Sequence, residues 1–318
     1  MSNQVLDNSN ISVHLGKTSQ YKSTYDKTLL VREPRQNNRT YLGIDDNKLP
    51  LPFLGFDTWN AYECSFLLNN GCPVTGVVKL TYAASSKYIV ESKSIKLYFN
   101  SFNMEKMGSN IRESIDKFSK TVSADLSDLL QTGVNVGFIP SSIYDKTEVS
   151  AHDFYSKNLF ETLENSIPEQ TLYKINFDTY QETPAILEQG NHIEVPDGNL
   201  GQYFHSALLK SNCRVTSQPD WGDVFIYIDT NKFIDKTSLL KYIVSFRGEC
   251  HFHEEICECI YKRLEDKFNP KALFVMCLYA RRGGIDINPV RASNVDLLYR
   301  MSSNLHDVRG PHVKTSKQ

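Results

Sequence analysis

Two stretches of the chain repeat one order of elements. In the first, "VVKLTYAA" (77–84) and "KYIVESKSIKLYFNSF" (87–102) mix β-branched and aromatic residues at strand spacing, and "NIRESIDKFSKTVSADLSDLLQTG" (110–133) has helical periodicity ending at Gly133. In the second, "DVFIYIDTNKFI" (223–234) reads as a strand, "TSLLKYIVSFRGECHFHEEICECIYKRLEDKF" (237–268) as a segment running into a helix, and "KALFVMCLYARRGGIDINP" (271–289) as strand and turn. An α+β architecture is expected twice over. Ser94, Tyr98, Ser101 and Phe102 recur at the same offsets as Ser238, Tyr242, Ser245 and Phe246, the mark of an internal duplication. Residues 1–40 are polar and without periodicity and read as a loosely held arm, followed by modules expected at 41–160 and 165–318.

Composition narrows the function only by exclusion. A chain of 318 residues can bury two cores, and its net charge of -2 gives no bulk attraction to nucleic acid or anionic membrane. The N-terminus lacks an apolar leader, and the longest apolar run, "ALFVMCLYA" (272–280), is too short to span a bilayer, so a cytoplasmic protein is expected. Seven cysteines, an odd number without framework spacing, argue against a disulfide scaffold.

Three stretches carry candidate chemistry. In "SNCRVTSQPDWGD" (211–223), Cys213 precedes Asp220 across a polar, proline-containing segment, so a nucleophile and a proton-transferring acid can lie side by side. "ECHFHEEICEC" (249–259) offers Cys250, His253 and Cys257 as zinc ligands on one helix face, but without a CxxC pair or a second cluster. The same stretch places His253 and Glu254 at a helix start, where a carboxylate can accept two hydrogen bonds from the amidine edge of a guanine-like ring. "RRGGIDINP" (281–289) combines glycines that admit close backbone approach with arginines suited to phosphate. Lys93 and Lys96 fall on a polar run with Glu91 and Ser92, which an exposed strand face explains equally well.

Taken together, "ESKSIKLYFNSF", the Cys and Asp of "NCRVTSQPDWGD", the "FHE" and "RRGGIDINP" resemble the bimodular NADPH-dependent 7-cyano-7-deazaguanine (preQ0) reductases of queuosine biosynthesis, in order, over residues 41–292. The resemblance implies two tandem tunnelling-fold modules, antiparallel sheets backed by helices, a homodimer, and reduction of the preQ0 nitrile to a primary amine with NADPH. It implies that Cys213 forms a covalent thioimide and that Asp220 supplies protons. Val90, Glu91, Ser92, His253 and Glu254 would bind substrate, and Ser92, Lys93, Arg282 and Gly283 would bind NADPH; no metal and no direct contact with nucleic acid are implied. Single-module relatives have Pro after the nucleophile and Gly before "QPD", where this chain has Arg214 and Ser217. "GCPVTG" (71–76) looks like a remnant of the nucleophile segment without its acid, with Cys72 in place of the nucleophile. Two rivals remain: a zinc enzyme of the GTP cyclohydrolase kind using Cys250, His253 and Cys257, and a non-catalytic tRNA- or nucleotide-binding module.

Overall fold

The structure, a computed structural model, describes residues 22–141, 159–196, 198–214, 216–310, 314–315 and 317–318. The first half supplies strands β1 (Arg32–Pro34), β2 (Leu54–Leu68), β3 (Pro73–Ala83), β4 (Tyr88–Val90), β5 (Lys106–Gly108) and β6 (Val134–Pro140). Its helices are α1 (Gln36–Tyr41), α2 (Ser92–Ser101) and α3 (Ile111–Leu130). The second half supplies β7 (Glu161–Thr162), β8 (Ile193–Glu194), β9 (Leu200–Ser206), β10 (Lys210–Asn212), β11 (Pro219–Thr230), β12 (Lys232–Phe233), β13 (Ala272–Tyr279) and β14 (Ile285–Ala292). Its longer helices are α4 (Lys236–Ser245), α5 (His253–Phe268) and α6 (Val295–His306).

Both halves share one ten-stranded sheet whose main path runs β6-β3-β2-β14-β13-β11-β9-β7. The halves join where β14 pairs antiparallel with β2, from Ile285 opposite Ala61 to Ala292 opposite Leu54. This is the expected α+β architecture, tandem modules of mainly antiparallel sheet backed by helices.

Along β11 and β13 the side chains alternate between two apolar layers. Val224, Ile226, Ile228, Leu273, Val275 and Cys277 pack under α4 and α5, while Phe225, Phe274, Met276 and Leu278 meet Leu298, Met301 and Leu305 of α6 on the other face. With both faces covered, such a strand is apolar at every position, which accounts for the unbroken run at 272–280.

The duplicated residues do the same work twice. Glu91 and Asp235 cap α2 and α4, and Ser94 and Ser238 Oγ donate to the cap carbonyls at 2.7 and 2.9 Å. Ser101 and Ser245 each donate to the tyrosine three residues back at 2.6 Å. Those tyrosines, Tyr98 and Tyr242, donate to Asp125 at 2.7 Å and to Glu182 at 3.0 Å.

Two expectations need correction. The strand expected over 87–102 is a strand only through Val90, because Glu91 accepts from the amides of Lys93 and Ser94 at 2.9 and 2.7 Å and starts a helix. Ile95, Tyr98, Phe99 and Phe102 then fall on its buried face at helical spacing.

The second concerns the arm. Residues 1–21 lie outside the described residues, but residues 22–40 are built into the fold: β1 pairs with β4, and Arg35 and Arg39 are buried. Arg35 pairs with Asp57, and Arg39 with Glu258 at 2.8 Å. Arg291 completes the network, 2.8 Å from both Asp57 and Glu258.

Candidate active site

The site lies beside the β2–β14 junction and draws on both halves. Cys213 follows β10 and begins a loop closed by its amide on the Gln218 carbonyl (2.8 Å) and the Ser217 amide on the Cys213 carbonyl (3.0 Å). Ser217 has φ +53°, a backbone region that favours glycine. The chain returns as β11, setting Asp220 opposite Ser211 of β10.

The β13–β14 connection is a two-residue turn in which Arg282 and Ile285 exchange backbone hydrogen bonds at 2.9 and 3.2 Å. Gly283 and Gly284 have φ of +58° and +81°, the positive values such a turn requires at both central positions. The turn brings Arg282 over the Cys213 loop, 3.3 Å from Asp220 Oδ1 and 3.4 Å from Gln218 Oε1. On the other oxygen, His253 Nε2 stands 3.4 Å from Asp220 Oδ2, and the His253 ring stacks on Tyr279 with centroids 3.9 Å apart.

A cavity of about 300 Å³ opens at this junction, with Ser92, Lys93 and Lys96 of α2 on one side and Cys213, Gln218, His253, Arg282 and Gly283 on the other. A narrow recess of about 20 Å³ continues from it past Cys213, Ser92 and His253 to Trp59, Val90, Asp220 and Glu254. Glu254 Oε1, both ring nitrogens of His253 and Trp59 Nε1 are buried without hydrogen-bond partners. Such orphaned groups are costly unless a ligand satisfies them. Burial and the nearby Asp57 push the Glu254 carboxyl up to about 8, against the opposing pull of Arg35.

Nine of the ten residues that the resemblance assigns to the site line this cavity and recess: Val90, Ser92, Lys93, Cys213, Asp220, His253, Glu254, Arg282 and Gly283. Glu91 is placed differently, since both its oxygens accept from the first amides of α2 and its carboxylate holds the helix that presents Ser92 and Lys93. The zinc trio does not assemble: Cys250 is exposed, while Cys257 is in the core with its thiol 3.6 Å from the carbonyls of Val275 and Pro289. Among the described residues no group of three potential ligands stands ready for a metal. Cys72 is exposed at the turn between β2 and β3, far from Asp220 in the strand order of the sheet.

Residues matched to known families follow the same division. The family described as "Nitrile reductase, 7-cyano-7-deazaguanine-reductase N-term" matches residues 21–138, and "QueF-like protein" matches residues 219–296. The NADPH-dependent 7-cyano-7-deazaguanine reductase of Dechloromonas aromatica is 39% identical over 93% of this chain and 94% of its own length. The chain belongs to this family. The reductases of the same name from Rickettsia canadensis and Colwellia psychrerythraea are each 38% identical, over 93% and 89% of this chain and 97% and 92% of their own lengths. The 7-cyano-7-deazaguanine reductase family thus spans both modules.

Sequence reasoning missed several residues that shape the site. Trp59 and Ile287 enter it only because β2 and β14 pair, opposite one another. Arg214, Glu255, His251 and Glu249 form a second charged cluster behind the Cys213 loop: Glu255 is 2.9 Å from Arg214 and 3.4 Å from His251, and His251 is 3.0 Å from Glu249. The two carboxylates raise His251 to about 9 despite burial, so it is a cation at neutral pH. No helix among the described residues is long and apolar enough to cross a membrane.

Proposed function

We infer that this chain reduces the nitrile of preQ0 to the aminomethyl group of preQ1 with NADPH, through a thioimide on Cys213. The observation that carries the reading is the recess in which Glu254 Oε1, the His253 ring nitrogens and Trp59 Nε1, all without hydrogen-bond partners, lie beside Cys213 and Asp220. Glu254 as a carboxylate accepts from the ring N1–H and the 2-amino group of the base, and His253 holds its neighbouring edge. The recess is smaller than a bicyclic ring, so the base must displace lining side chains or remain partly in the outer cavity.

In the first step the Cys213 sulfur gives up its proton and adds to the nitrile carbon, and Asp220 passes that proton to the nitrile nitrogen. Arg282 and His253 stand at the two oxygens of Asp220, at 3.3 and 3.4 Å. The sulfur leaves once the carbon has been reduced to the imine level, and the recess must retain that imine, screened from water, until the second reduction. The net change takes two hydrides and two protons per nitrile.

The lining of the outer cavity suits the phosphates of a dinucleotide. Lys93, Lys96 and Arg282 line it as cations, and Gly283 leaves its backbone open to close approach. Bound there, NADPH supplies the hydrides.

Modules at 41–160 and 165–318 remain our division of the chain, with the described part of the preceding segment docked on both. We place the enzyme in the cytoplasm as a homodimer without direct contact to nucleic acid. Strand β6, at the end of the sheet's main path among the described residues, offers an edge to which a second copy can add.

Mixing the protein with preQ0 and NADPH is expected to oxidise two NADPH for each preQ0 consumed and to release a primary amine. Absence of preQ0-dependent oxidation contradicts the reading.

The state of Glu254 adds a second expectation. Its free carboxyl, at about 8, is protonated at neutral pH, whereas the base needs the carboxylate. Binding must therefore release a proton, and preQ0 affinity should fall by about tenfold for each pH unit below 8. Calorimetry in buffers of different ionisation enthalpy measures this release; binding with no proton exchange between pH 6 and 7 would exclude it.

A further inference from the structure

We propose that Arg214 is the positioning residue of the nucleophile, tying the Cys213 loop to the helix turn that carries His253 and Glu254. The proposal rests on the reading that Cys213 attacks the nitrile.

Arg214 directly follows Cys213 at the start of the loop. Its guanidinium lies 2.9 Å from Glu255 Oε2 and 5.2 Å from the centre of the Phe252 ring. The same Glu255 oxygen accepts the Phe252 amide at 2.9 Å and so fixes the start of α5, immediately beside Glu254. One carboxylate thus joins the loop bearing the nucleophile to the turn bearing the base-binding pair.

His251 faces the same carboxylate, its Nδ1 3.4 Å from Glu255 Oε2, so Glu255 keeps a partner when Arg214 is removed. Glu33, on β1 of the first half, is buried, and that burial raises its carboxyl above the ordinary value while the charge of Arg214 lowers it. Arg214 restrains the loop by an ion pair, and Ser217 at positive φ lacks the freedom glycine would have. The consequence is specific. Without Arg214 the thiol should still be present and the base should still bind, but the sulfur should reach the nitrile less often in attacking geometry.

The test is the rate at which preQ0 without NADPH forms the covalent adduct, followed by rapid quench and intact mass, in wild type, Arg214→Ala, Arg214→Leu and Arg214→Lys. Thermal midpoint is measured alongside, and non-covalent preQ0 affinity is measured with each change combined with Cys213→Ala. Expected is a slowing by about tenfold or more in the Ala and Leu variants, with affinity within about twofold and an unchanged midpoint, and substantial recovery in the Lys variant. Adduct formation at the wild-type rate in Arg214→Ala or Arg214→Leu overturns the proposal alone. So does a slowing matched by lost affinity or a lowered midpoint, or one that Lys does not relieve. No adduct on wild type overturns the covalent reading and the proposal with it.

Discussion

Asp220→Asn is expected to lower turnover by at least about 10²-fold, the usual cost of losing a general acid. The substitution keeps the shape of a side chain that is 5% exposed and held between Arg282 and His253. An amide cannot cycle the protons that addition to the nitrile and formation of the amine consume. Affinity for preQ0 should change little, since the base is gripped through Glu254. Steady-state turnover with separately measured preQ0 binding decides the matter: a variant within threefold of wild type removes Asp220 from proton transfer, and a loss confined to binding reassigns it to substrate recognition.

The second large effect concerns the charge network below the site. Asp57, fully buried on β2, is paired with both Arg35 and Arg291. Asp57→Ala leaves two guanidinium groups short of a counter-charge and is expected to cost about 3–5 kcal/mol of stability, as breaking buried pairs does. Removing Asp57 also removes a negative charge that holds the Glu254 carboxyl high. The pH below which preQ0 binding weakens should therefore move down. Urea unfolding gives the first quantity and binding across pH the second. A loss below about 1 kcal/mol would show that the network relaxes around the gap, and an unmoved pH dependence would separate Asp57 from Glu254.

Motifs with local spacing were the legible part of the site. The hairpin that pairs Asp220 with Ser211 and returns Cys213 beside it lies within one stretch of sequence, as do the Arg282–Gly283 turn and the helix start at His253. Strands covered on both faces announced themselves as apolar runs. The signature stretch misled because its composition is that of a strand while its period is that of a helix. Ile95, Tyr98, Phe99 and Phe102 are spaced for one helical face, and Glu91 is the cap. The buried arginines could not be read at all. Arg35 and Arg39 find Glu258 across separations of 223 and 219 residues, and nothing near them in sequence distinguishes a buried guanidinium from a solvated one. The same holds for Trp59, which reaches the recess through the pairing of strands from opposite halves. Glu91 shows the converse limit: its place in the signature was legible, but its carboxylate is spent on the helix and not on the cavity.

The covalent bond between Cys213 and the nitrile carbon is the centre of the account, and intact mass of the protein incubated with preQ0 in the absence of NADPH tests it most directly. Addition across the triple bond loses no atoms, so the protein should gain the full mass of one preQ0, the gain should map to the peptide containing Cys213, and Cys213→Ala should gain nothing. A wild type that stays unmodified, or a Cys213→Ala variant that still gains the mass, contradicts the thioimide mechanism.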